Sequence, residues 1–133
     1  MSDCLFCSIV SGAIPAAVVF EDDQALAFLD IHPVHLGHVL LIPKKHHAQL
    51  AETPDNLVAQ LFIAAKKLLP AIKQATEADF VVVNVVGVDV PHFHIHLIPR
   101  YFSDGFPGWP TKDYQGSEMV TVAEKIKAAQ QQS

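Results

Sequence analysis

This chain predicts an α+β fold, a mostly antiparallel sheet with helices on one face, and three observations carry the prediction. Half of the 133 residues are apolar, β-type runs flank one long segment with a helical apolar period, and strand and helix do not alternate in βαβ fashion. A positive mean hydropathy and 17% charged residues exclude a disordered chain. The length fits one domain, residues 1–133, with one core.

Following Cys4 and Cys7, the stretch Ile9 to Pro15 is turn-rich. Ala16 to Phe20 and Ala25 to Asp30 read as strands, joined at Glu21, Asp22 and Asp23 as a hairpin. A connection with Pro33 and Gly37 leads to His38 to Ile42, whose Val, Leu and Ile content and closing Pro43 suit another strand. The longest helix starts near Thr53, an N-cap residue with Pro54 at the first helical position. From there Leu57, Val58, Leu61, Phe62, Ala65, Leu68, Leu69 and Ile72 recur at three- and four-residue steps, which lays one face of the helix on the sheet. Pro70 lacks the N–H that would bond the Lys66 carbonyl, so a kink or an early end is expected there. Phe80 to Val86 and His92 to Tyr101 are further β-type runs, suited to adjacent antiparallel pairing across Gly87 to Pro91. Residues 103–117, with Gly105, Pro107, Gly108 and Pro110, read as a surface loop, Met119 to Gln130 as a short amphipathic helix and Gln130 to Ser133 as a polar tail.

Several function classes drop out. The longest apolar runs, such as Val81 to Val86 with its Asn84, are far too short to span a bilayer. Residues 1–15 hold Asp3 and no Lys or Arg, unlike a secretory signal, so a cytoplasmic protein with reduced thiols is expected. A formal charge of −5 without a basic run argues against general nucleic-acid binding.

Histidine is the unusual residue. The chain has 8, against 9 Lys plus Arg. His32, His35, His38, His46 and His47 fill one window, and His92, His94 and His96 another. Around the latter, residues 92–98 alternate polar and apolar with period two. On a strand this sends Phe93, Ile95 and Leu97 into the core and lines the three imidazoles up outside it, at about 6.6 Å spacing. A solvated face would serve equally with Thr, Lys or Glu, so repetition of one uncommon residue asks for chemistry. Two chemical readings stay open: imidazoles two residues apart sharing a zinc, or phosphate chemistry in which one neutral ring attacks phosphorus while others bind or protonate its oxygens.

His-φ-His-φ-His-φ-φ, with φ apolar, resembles the signature of the histidine triad family of nucleotide hydrolases and transferases, and residues 92–98 fit it throughout. Cys4-Leu5-Phe6-Cys7 with Ile9, Gly12 and Ile14-Pro15 resembles the family's N-terminal segment. Ala27 to Ile31, Pro33, Gly37-His38 and Ile42 to His46 resemble its central one, so the match covers about residues 4–102. The resemblance implies a five-stranded antiparallel sheet with a long helix, a homodimer, and nucleoside phosphoramidates or dinucleoside polyphosphates as substrates. It makes His94 the nucleophile that takes the nucleotidyl group from the α-phosphorus, before water releases the monophosphate. An unperturbed imidazole, with pKa about 6.5, is mostly neutral at pH 7 and so able to attack. His96 is expected to contact the α-phosphate or leaving group as an N–H donor, His92 to hold its neighbour's ring and tautomer, and His38 to add a contact on the phosphate side. Asp30 is expected to accept from the ribose hydroxyls, although a strand-ending turn aspartate reads the same way. Asn84, costly to bury unpaired, is expected to face sugar and phosphate. Phe6, Ile9 and Phe28 match positions that enclose the base and fit a plain core equally well.

The chain departs from the family pattern before the triad. Members commonly carry a longer Gly-rich loop ending in Ala-Gly-Gln and then Ser or Thr. Here Val86-Gly87-Val88-Asp89-Val90-Pro91 separates Asn84 from His92 by only eight residues, with Val88 at the Gln position and Asp89 where a hydroxyl often meets the leaving group. An ionised Asp89 repels phosphate; protonated, or bound to an amine, it serves as an acid or selects a cationic leaving group. The Cys4-x-x-Cys7 pair lacks a thioredoxin-like βαβ context and is only half of a tetrahedral zinc site. In zinc-bearing triad proteins the other ligands are the His after the Pro-Lys pair and the first triad His, which implies Cys4, Cys7, His46 and His92 around a structural zinc. His32, His35 and His47 read as exposed loop residues. Three functions follow: a nucleotidyl hydrolase working through a His94 adduct, a non-catalytic nucleotide-binding module, and a metal-handling protein favoured only by histidine abundance.

Overall fold

The structure, a computed structural model, describes residues 4–105 and 111–131. Elements follow in the order α1 (Leu5–Val10), β1 (Val18–Glu21), β2 (Ala25–Leu29), β3 (Val39–Pro43), a 3-10 turn (Leu50–Glu52), α2 (Asp55–Thr76), β4 (Phe80–Asn84), β5 (Ile95–Arg100) and α3 (Glu118–Gln130). The five strands form one antiparallel sheet in the order β1-β2-β3-β5-β4. The expected sheet is thus present, with its last two strands paired as anticipated.

Every residue of β2 and β3 is buried, because the middle of the sheet is covered on both faces. Ala25, Ala27, Leu29, Val39, Leu41, Ile95 and Leu97 face α2 and α3 in the larger core. Leu26, Phe28, Leu40 and Ile42 face the other way and pack with Cys4 and Phe6. The expectation of helices on one face therefore holds for α2 and α3, while α1 covers the opposite face. This first helix has no apolar period long enough to read. It is set by Cys4, whose Sγ accepts from the Cys7 N–H at 3.4 Å as a cap, and the chain turns away at Gly12 with φ 86°. Capping by the first cysteine places the second one turn on, with both sulfurs on one side.

Helix α2 buries Leu57, Leu61, Ala65, Leu68, Ala71 and Ile72, whereas Phe62 is 37% exposed. Its start differs from expectation: Pro54 is the cap residue, and the Thr53 hydroxyl donates back to the Gln49 carbonyl at 2.9 Å. The helix also runs through Pro70 to Thr76 without ending. Pro70 and Lys66, whose carbonyl it leaves unbonded, are both exposed, so that carbonyl can bond solvent instead of the helix. Met119 to Gln130 falls within α3, and the loop residues Pro107, Gly108 and Pro110 lie outside the described residues.

The connection from β2 to β3 carries His32, His35 and His38 and is pinned at Gly37. There φ is 97°, the N–H donates to the Tyr114 hydroxyl at 2.9 Å, and an added Cβ would stand 2.4 Å from Thr76 Cγ2. Thr76 is β-branched and tied by its own hydroxyl to the Ile72 carbonyl at 2.7 Å, so it yields poorly. Gly37→Ala is expected to destabilise the fold by about 2 kcal/mol or more in urea denaturation, from left-handed strain plus the clash. Adding Thr76→Ser should recover only part of the loss; full recovery would remove the backbone component.

Candidate functional site

The extended segment before β5 and the strand itself carry the triad. His92 and His94 precede β5, and His96 lies in it opposite Leu40 of β3 and Asn84 of β4. Phe93, Ile95 and Leu97 enter the larger core as expected. The imidazoles point to the other face but are not solvated: His92 is 0%, His94 5% and His96 8% exposed. Helix α1 covers them, and Phe6 stands edge-on to His94 with ring centroids 5.1 Å apart.

Beside these rings lies a cavity of about 390 Å³. Leu5, Phe6, Ile9, Ile14, Pro15 and Phe28 make an apolar end, His94 and His96 line another part, and Asp30 and Asp89 add two carboxylates. Burial pushes the Asp30 carboxyl up, the His32 N–H bonded to its Oδ1 at 2.9 Å opposes that, and the negative charge of Asp89 adds to the rise.

Main-chain groups decide which ring nitrogen carries each proton. His94 Nδ1 lies 2.7 Å from the His92 carbonyl and must donate to it, which leaves the lone pair on Nε2. His38 Nδ1 accepts from the Val34 N–H at 3.1 Å, so a neutral His38 holds its proton on Nε2 and donates it to His96 Nδ1 at 2.9 Å. His96 in turn holds its own proton on Nε2, as a donor. Burial and the neighbouring rings bring His38 down to about 3, and burial followed by His94 brings His96 down to about 4. Both rings are therefore neutral at pH 7.

A second cluster lies behind the first. Ligand atoms of Cys4, Cys7, His46 and His92 all fall within 4.8 Å of one another, an arrangement able to hold a metal ion. His92 Nε2 donates to the Pro43 carbonyl at 2.9 Å, so its Nδ1 lone pair faces Cys4 Sγ at 3.3 Å and Cys7 Sγ at 3.6 Å. His46 Nδ1 is 3.2 Å from Cys7 Sγ. Asp30, His38 and His96 meet the same distance test. There the proton on His38 Nε2 occupies the lone-pair direction a metal needs: it makes a relay to His96 Nδ1 at 2.9 Å, with Asp30 Oδ2 standing 3.7 Å from the same nitrogen.

The HIT domain family matches residues 11–103. The chain belongs to the histidine triad, or HIT, family. A HIT-like protein of Methanocaldococcus jannaschii is 43% identical over 106 residues, covering 77% of this chain and 82% of that protein. An adenosine 5'-monophosphoramidase of Saccharomyces cerevisiae is 36% identical over 130 residues, covering 94% and 81%. The crystal structure of a zinc-bound histidine triad family protein from Mycobacterium smegmatis superposes with a TM-score of 0.88 at 31% identity, covering 98% of this chain and 95% of that one.

The HIT fold brings most of the sequence-selected residues together. Phe6, Ile9, Phe28, Asp30, Asp89, His94 and His96 share the cavity, and Cys4, Cys7, His46 and His92 the ligand cluster. Asn84 stands beside His96 across the β4–β5 ladder and is not among the residues that line the cavity. His38 is 0% exposed, and its two ring nitrogens serve Val34 and His96, so the expected contact with phosphate passes through His96. The orienting role expected of the His92 ring is performed by its backbone carbonyl. His32 is exposed, but His35 is half-buried, 3.0 Å from Asp104 Oδ2 and edge-on to Tyr101, and His47 is half-buried with its carbonyl bonded to the Phe93 N–H at 2.7 Å. The relay behind His96 and the ligation-ready tautomer of His92 had no sequence signal.

The lowered His38 and His96 values fix a pH dependence. Unfolded rings take up protons as pH falls through about 6.5, while the folded ones wait until about 4 and about 3. The contribution is complete above about pH 6.5 and is lost as pH falls toward the folded values. The urea midpoint is expected to drop steadily from about pH 6.5 to about pH 4.5; a flat midpoint over that range would contradict neutral, buried rings.

Proposed function

We propose that this HIT domain protein hydrolyses a nucleoside phosphoramidate or dinucleoside polyphosphate at the α-phosphorus through a nucleotidyl adduct on His94. The observation that carries the reading is the His94 ring at the cavity, its Nδ1 proton tied to the His92 carbonyl and its Nε2 lone pair thereby available. Support comes from the relative named as an adenosine 5'-monophosphoramidase.

In this reading the base occupies the apolar end among Phe6, Ile9 and Phe28, and the ribose hydroxyls donate to Asp30. Asn84, beside His96 on the ladder, helps to hold sugar and phosphate. His94 Nε2 attacks phosphorus, and the bond to the leaving group breaks with its electron pair staying on the departing atom. The Nε2–H of His96, set by His38, donates to an α-phosphate oxygen as negative charge gathers there. Water then attacks the phosphorus of the adduct, the N–P bond breaks, and the electron pair returns to Nε2 of His94. For a phosphoramidate, the protons lost by water balance those taken up by the amine, giving a nucleoside monophosphate and an ammonium ion.

The second part of the proposal is a structural zinc held by Cys4, Cys7, His46 and His92. Around a tetrahedral zinc with Zn–S about 2.3 Å and Zn–N about 2.0 Å, sulfur and nitrogen stand about 3.5 Å apart. The sulfur–nitrogen distances here are 3.2, 3.3 and 3.6 Å. The donor set is that of a closed structural site, and the bound ion would cross-link α1 to the segment that precedes β5. A homodimer completes the reading: β4 ends the sheet, with Val83 42% and Val88 78% exposed on it and just beyond it. No helix among the described residues is long and apolar enough to cross a membrane, and a cytoplasmic location would keep the thiols reduced.

Incubation with adenosine and guanosine phosphoramidates and dinucleoside polyphosphates should give turnover and, by intact mass, a nucleotidyl adduct that His94→Ala abolishes together with at least a thousandfold of kcat, roughly. Tight nucleotide binding with neither adduct nor turnover would instead place the chain among non-catalytic binders. Metal analysis should find about one zinc per chain, lost in the Cys4→Ser/Cys7→Ser double variant and kept in His94→Ala. The reverse pattern would move the metal to the triad.

A further inference from the structure

We infer that Asp89 selects the leaving group, favouring substrates whose scissile bond runs to an amine nitrogen over those that expel a further phosphate. The inference rests on the α-phosphorus chemistry proposed above and names the substrate class of that site.

The cavity lining contains two carboxylates, Asp30 and Asp89, and no Lys or Arg. Residues 1–3, 106–110, 132 and 133, outside the described set, hold no Lys or Arg either. Asp30 is committed through Oδ1 to the His32 N–H. Asp89 is exposed and has neither a hydrogen bond nor an ion pair among the described residues. Its neighbours nevertheless hold it in place. Val90 packs against the cluster under α1, and the Val90 carbonyl accepts from the His92 N–H at 2.8 Å. The uncommitted carboxylate therefore stands at the cavity next to the segment that carries His94. Its charge is felt on both sides, raising the pKa of Asp30 and opposing the fall of that of His96.

That placement discriminates by the sign of the charge that develops on the leaving atom. As a P–N bond breaks, nitrogen takes the electron pair and a proton from solvent, which is returned when water later attacks the adduct, and departs toward the ammonium form, so positive charge grows beside a carboxylate. As a P–O–P bond breaks, the departing phosphate gains negative charge and brings more of it into a site that already holds two carboxylates. The first is stabilised more in the transition state than in the ground state and the second less. Because Asp89 is exposed and unbonded, its replacement leaves the packing untouched.

The test compares kcat/KM for an adenosine alkylphosphoramidate and for a diadenosine polyphosphate in the full wild-type chain, Asp89→Asn and Asp89→Glu. The wild-type chain should prefer the phosphoramidate. Asp89→Asn should lose rate on it and gain on the polyphosphate, so that the ratio falls by about tenfold or more. Asp89→Glu should keep the wild-type order. A ratio that Asp89→Asn leaves unchanged, while both substrates turn over, overturns the selectivity and leaves the hydrolase standing. Absence of turnover and adduct with every substrate overturns the hydrolase reading, and the selectivity falls with it.

Discussion

The hydrogen bond from the Val34 N–H to His38 Nδ1, 3.1 Å long, governs more of the site than any other single contact. A backbone amide only donates, so the ring it meets must accept there and keep its proton at the far nitrogen. The choice propagates through His38 Nε2 to His96 Nδ1 and ends as an N–H at His96 Nε2. Had the proton sat on His38 Nδ1, two hydrogens would face each other in a 0% exposed position, at the cost of an unmet buried polar pair. Gly37 is where the chain turns just before His38, and its φ of 97° brings the backbone against Thr76. The tautomer of a ring in β5 is thus set by the shape of the connection between β2 and β3.

His92 performs the corresponding task on the other side. Its Nε2 is held by the Pro43 carbonyl, its Nδ1 faces the thiols, and its own carbonyl fixes His94. One residue joins the ligand cluster to the ring that carries the proposed chemistry, through main-chain atoms that rotamer changes do not move. On the proposed reading, a metal bound at the cysteines would stiffen this segment without taking part in the reaction. His94 is left in the tautomer an attacking imidazole requires, with no carboxylate needed to impose it.

Much of this was legible in the sequence, because the apolar period is a local property. The two-residue alternation of residues 92–98 located Phe93, Ile95 and Leu97 in the core, and the three- and four-residue steps located the buried face of α2. What the sequence did not carry was how buried the opposite face is. Alternation distinguishes two faces but not what covers the second, and α1, the cover, is a single six-residue helix started by a cysteine cap. For the same reason Pro70 misleads: its cost depends on whether the freed Lys66 carbonyl meets water, which only the packing of α2 decides. Tautomers were illegible altogether, since they follow from contacts such as His38 with Val34 and His92 with Pro43, set by the turn of one loop and by a neighbouring strand.

On the proposed reading, an acidic chain has to attract a phosphate with no Lys or Arg lining the cavity, and the rings of His38 and His96 show how. Burial keeps His38 and His96 uncharged at pH 7, so what the cavity offers an anion is an oriented N–H dipole. A dipole acts at hydrogen-bond range and falls off quickly, whereas the charges of Asp30 and Asp89 act farther out. In that reading, affinity for the nucleotide comes chiefly from Phe6, Ile9 and Phe28 in the cavity lining, with the phosphate held by direction more than by charge. Such a division suits the proposed turnover: a monophosphate product that gained negative charge on hydrolysis would be repelled by both carboxylates, while the base that substrate and product share would bind equally in either.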